Sequence, residues 1–172
     1  MNQAHLHLLL NHLPILGSLF GILTLLAGFL LKNDTVKRTA LGLFAVAAIT
    51  AIPAYLTGEG AEEVVESMPG VTENLIEAHE DMANIFLWVV GALGLLSLAT
   101  LYADFKAQRI TSTLYIITFA VSIAAMGLAA RVGITGGEIR HTEIRNDATA
   151  SAANGAVSPN ASRESGKDED DD

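Results

Sequence analysis

The stretch LLLNHLPILGSLFGILTLLAGFLL, Leu8 to Leu31, carries no acidic, Lys or Arg residue and is long enough to cross a ~30 Å hydrocarbon layer as a helix. Three more windows share that character: Thr39 to Thr57, Met82 to Tyr102, and Ile110 to Ile134. None holds an acidic residue, and Arg131, near the end of the last, is their single Lys or Arg. Barrel strands alternate apolar with polar residues; these unbroken runs do not, so they predict helices. The expected fold is all-α, a membrane-spanning up-down four-helix bundle over residues 1–145, followed by a disordered acidic tail over 146–172. The first window lacks a positive n-region and a small-residue cleavage site, so it reads as a retained span.

The distribution of charge orients the bundle. The chain has 172 residues and a formal net charge of −9. Its acids gather in the connection between Gly58 and Asp81, which has no Lys or Arg, and in the tail ending KDEDDD. The two short connections instead carry Lys32, Lys37, Arg38, Lys106 and Arg109 against Asp34 and Asp104. The positive-inside rule makes those two loops cytoplasmic and predicts that both termini lie outside. The lipid bilayer is thus the first partner expected, and so acidic a chain has no footprint for nucleic acid. The absence of cysteine excludes thiolate-held iron–sulfur clusters, thioether-attached haem and disulfides.

The acidic connection has its own punctuation. AEEVVES reads as a short surface helix stopped by Pro69-Gly70, and Thr72 can cap a new helix that begins at Glu73 and projects beyond the apolar window. His79 lies in the projecting part. At roughly 100° per residue it shares a face with Leu75, Ile76, Met82 and Phe86, while Glu73, Glu77, Glu80 and Asp81 lie behind it. In the first span His5 and His12 share a leucine stripe with Leu8, Leu16 and Leu23, whereas His7, Asn11 and Ser18 lie on another. Pro14 cannot donate to Leu10, which predicts a kink beside His12. Gly136-Gly137 permits a sharp turn that would fold Glu138 to His141 back over the bundle mouth.

On this topology all five histidines lie on the outer side. A neutral imidazole offers one lone pair to a metal and one N–H to a supporting acceptor. The first and third spans of an up-down bundle are diagonal neighbours, so His12 and His79 are the expected pair to grip a haem b or another transition metal. Arg131 is placed to meet a propionate, and His141 is a further candidate. Interhelical hydrogen bonding is the alternative for His12 and His79, and snorkelling for Arg131. His5 and His7 read as solvated. Glu138-x-x-His141 matches half of a di-iron pair with no second half, and His79-x-x-Met82 is a common spacing that copper also uses. There is no nucleophile elbow, phosphate loop or zinc-protease motif, so a stand-alone enzyme is not expected.

Around His12-Leu13-Pro14-Ile15 the sequence resembles an uncharacterised family of bacterial four-helix inner-membrane proteins with a His-Phe-Pro-Ile signature in the first span. The likeness extends to TGEGAEE, AHEDMA and TGGEIRH, covers about residues 5–145, and falls on His12, Pro14, Gly58, His79, Gly136, Gly137 and His141. What the resemblance implies is a layout like that of small membrane b-type cytochromes. The function expected is electron transfer at an outward histidine site, with a redox partner or membrane subunit to serve it. A structural or metal-binding subunit without redox chemistry is the second reading and a small transporter the third, because no charge lies near mid-span.

Overall fold

Pro14 leaves the carbonyl of Leu10 without its helical donor, and in the computed structural model the first long helix is interrupted there, at Asn11. The structure describes residues 2–145, so the expected acidic tail lies outside the described residues. The described residues form helices α1 (Gln3–Leu10), α2 (His12–Leu30), α3 (Asp34–Leu56), α4 (Gly58–Val65), α5 (Glu73–Phe105) and α6 (Thr111–Arg140), then a 3-10 turn, and contain no strand. Four stretches are long and apolar enough to cross a membrane: α1 with α2, α3, α5 and α6. Helix α5 starts at Glu73 as the sequence predicts, although the Thr72 hydroxyl makes no capping bond. Helix α4 ends before Pro69, and Gly70 turns the chain with φ +79°.

Helix α3 packs between α2 and α5, α6 packs on α5, and α2 touches α6 only lightly. Helices α2 and α5 are therefore diagonal, as are α3 and α6. Phe44 sits at the centre with Leu25, Leu41, Leu93 and Ala125, and Ala47, Ala51, Phe86, Val90 and Ala129 continue the core toward the histidine end. Small residues set the spacing: a Cβ on Gly94 would overlap Ala48, and one on Gly21 would run into the Phe44 ring. The buried hydroxyls of Thr100 and Thr118 bind carbonyls of their own helices, and their Oγ1 atoms meet at 3.0 Å between α5 and α6. The outer surface carries Leu16, Phe20, Leu23, Ile49, Leu95 and Ile116. Such a surface is stable in hydrocarbon, where an exposed leucine costs nothing.

At the opposite, basic end both tight turns close in the same way. The N–H of Asn33 binds the carbonyl of Gly28, and that of Gln108 binds the carbonyl of Ala103. These bonds place Lys32 and Ala107 in left-handed backbone, φ 50° and 49°, at the position glycine usually takes. Arg38 Nε lies 2.5 Å from Asp104 Oδ2 and ties α3 to α5.

Candidate functional site: two imidazoles across the bundle

The last four carbonyls of a helix have no partner within it, and at the end of α3 one of them, that of Ala54, faces α1. His7 Nδ1 lies 2.9 Å from it. A carbonyl oxygen can only accept, so Nδ1 carries the proton and Nε2 keeps its lone pair. Thr57 Oγ1, 3.4 Å from the same ring nitrogen, donates back to Pro53 and Ala54 and closes the surroundings of His7.

His79 is fixed by the same logic from α6. Its Nδ1 lies 3.2 Å from Thr135 Oγ1. That hydroxyl also lies 3.1 and 3.2 Å from the carbonyls of Arg131 and Val132, and when either takes its one proton it accepts from His79. In that arrangement His79 carries its proton on Nδ1 and leaves Nε2 free. Gly136 makes room for the ring, since a Cβ there would stand 2.9 Å from His79 Cε1. The two half-buried rings meet at right angles, 88° between planes, with centres 6.5 Å apart.

The ring opposite His79 is thus His7. His12 lies on the exposed side, its Nδ1 3.0 Å from its own helix's Leu8 carbonyl. His5 shares that exposed stripe. The expectation that the leucine stripe faces inward, and that His7 points away, is corrected. In hydrocarbon the outside is as apolar as a leucine, so Leu8, Leu16 and Leu23 face out and the small or polar stripe of His7, Asn11, Pro14 and Ser18 packs inward. Asn11 Oδ1, one turn below His7, is buried without a hydrogen-bond partner among the described residues.

For α5 the expectation agrees with the structure: Leu75, Ile76 and Phe86 are buried beside His79. At the end of α6 it does not. The helix runs straight through Gly136 and Gly137 to Arg140, because both residues sit in helical packing, Gly136 on His79 and Gly137 on Ile144. The turn comes at His141, which is exposed and holds Glu143 Oε1 at 2.9 Å rather than folding over the pair. Its own backbone N–H first, and His141 second, hold the Glu143 carboxyl below the usual range. Arg145 caps the helix, donating to the carbonyls of Glu138 and Ile139. Arg131 is exposed at this end, with no carboxylate in pairing distance among the described residues.

The supporting groups Ala54, Thr57 and Thr135 escape sequence reasoning. A backbone carbonyl leaves no trace in side-chain pattern, but Thr57 after Pro53 and Thr135 before Gly136-Gly137 are polar residues at span ends and were open to notice. Among the described residues no three of His, Cys, Asp and Glu gather as metal ligands. Protein-family models, curated proteins and solved structures were compared with the chain, and none matches it.

Proposed function

We propose that the chain is a multi-pass protein of the bacterial inner membrane, with its basic turns inside and the histidine end and both termini outside, that holds a redox centre between His7 and His79 for electron transfer. The observation that carries this reading is the matched setting of the pair: each Nδ1 lies within hydrogen-bond distance of a protein oxygen, 2.9 Å for His7 and 3.2 Å for His79, which leaves Nε2 as the nitrogen to ligate. Metal-ligating histidines are held in this way. With ring centres 6.5 Å apart, His7 and His79 are the residues that would hold the group. A bare zinc or cupric ion asks the protein for three or four ligands, whereas haem brings four nitrogens and asks for two. The donor count therefore favours haem b, which would supply one-electron chemistry.

The protein's share is to fix both rings, exclude water with the apolar packing of Ile76 and Phe86, and present Arg131 as a cation at the same end. The resemblance to a b-type-cytochrome-like layout agrees with this reading in layout, but it falls on His12, and the reading takes His7 in its place.

The test is optical. Protein purified in mild detergent should show oxidised and dithionite-reduced haem spectra that vanish in His7→Ala and His79→Ala and persist in His12→Ala. No Soret band and no metal, even after growth with haem precursor, would overturn the cofactor. Retention of the spectrum in His7→Ala would overturn the pair. A reporter fused after Asp172 that is active only in the cytoplasm would overturn the orientation.

A further inference from the structure

The break between α1 and α2 brings together two acceptors that the helices do not serve. The carbonyl of Leu10 has no donor at the fourth residue on, because Pro14 has no N–H. Asn11 Oδ1 is buried without a hydrogen-bond partner among the described residues. Asn11 stands at the start of α2, yet its side chain caps nothing there. The side-chain donors on either side of the break are already spent. His12 Nδ1 lies 3.0 Å from the Leu8 carbonyl, and Ser18 Oγ gives its proton to the Pro14 carbonyl at 2.8 Å.

Two acceptors on adjacent residues call for a molecule that donates two protons. A cation is also drawn to oxygen, but a hard cation takes about six oxygen ligands, and the break offers two. Water fits the count: it has two protons to give, and buried waters serve polar groups that the protein leaves unpaired. In spanning helices, groups freed by a proline are met in this way, because hydrocarbon has nothing else to offer them. The break lies three residues inside the first apolar stretch, which begins at Leu8, so solvent is close enough to supply it.

We propose that the break is a binding site for one ordered water, which donates to the Leu10 carbonyl and to Asn11 Oδ1. The water is then a fixed part of the junction between α1 and α2, one turn below His7. This site stands apart from the redox reading, since neither acceptor belongs to the histidine pair.

The experiment pairs a crystal structure of the full chain, at a resolution that shows ordered water, with thermal unfolding in one detergent. Density should stand within about 3.2 Å of both oxygens. Asn11→Leu should lower the midpoint by about 3 °C, because the water leaves and the Leu10 carbonyl loses its donor. In Pro14→Ala, where an N–H is returned to that carbonyl, Asn11→Leu should cost less than half as much. A higher midpoint in Asn11→Leu, the result of removing an acceptor that nothing serves, overturns the water. So does a crystal structure with no density at Asn11 Oδ1. Density ringed by about six oxygens overturns water as the occupant in favour of a cation. An equal cost of Asn11→Leu in the two backgrounds overturns the partnership with Leu10.

Discussion

Thr135 Oγ1 stands between two elements: it lies 3.1 and 3.2 Å from carbonyls of its own helix and 3.2 Å from His79 Nδ1. One hydroxyl on α6 thereby orients the ring of a histidine on α5. The setting of the two rings is a property of four helices, α1, α3, α5 and α6, since His7 owes the same service to α3.

Thr135→Val keeps the shape and removes the acceptor. Loss of such a supporting hydrogen bond costs about 10- to 100-fold in metal or haem affinity. Titrating the cofactor back into stripped protein should show that weakening, with helix content by circular dichroism unchanged.

Glycines at helix contacts and glycines facing outward should respond in opposite ways. In Gly94→Ala the new methyl meets Ala48 and pushes α5 off α3, which should destabilise by about 1–3 kcal/mol. Gly91, one turn away, has open space where its Cβ would be, and Gly91→Ala should be neutral or stabilise by up to about 1 kcal/mol. Thermal unfolding in one detergent compares them directly.

Ala107 holds φ 49° at a turn. Replacing it by glycine removes the clash of its Cβ with the backbone, and Ala107→Gly should stabilise by about 1 kcal/mol. A lower unfolding midpoint in the variant would contradict the backbone conformation.

Acidification should tighten α4 onto α5. A hydrogen bond with Glu80 raises the Glu62 carboxyl above its ordinary value, and repulsion from Glu80, Glu59 and Glu63 adds to the shift. A folded-state pKa that is raised gives stability that is fully present below the ordinary glutamate value of about 4.3 and lost as pH climbs through the raised one. Hydrogen exchange of Gly58–Val65, corrected for its intrinsic pH dependence, should therefore show most protection at low pH, with the gradient flattened in Glu62→Gln.

Much of the architecture was legible because its cause is local. Apolar runs and charge-free windows set the four long helices, and Pro69-Gly70 ahead of Thr72 marks where α5 begins. His79 was legible too, since its neighbours Leu75, Ile76 and Phe86 are large and the acids behind it need water. His7 was not. Choosing between two stripes of the first helix requires knowing the surroundings, and burying the leucines is the rule of water, not of hydrocarbon. The glycine pair misled for a related reason: Gly136 is small because the His79 ring needs the space, not because the chain turns there. The Ala54 carbonyl had no signature at all, belonging to a backbone whose end only the fold reveals.

The interruption at Asn11 separates the two histidines in mechanical character. His79 rides on an unbroken rod of 33 residues, while His7 sits on an eight-residue piece joined to the rest of its span at a point where Leu10 lacks its usual bond. The two rings thus differ in what lies beneath them: one helix keeps every backbone bond, the other passes a missing bond at Pro14, two turns from His7.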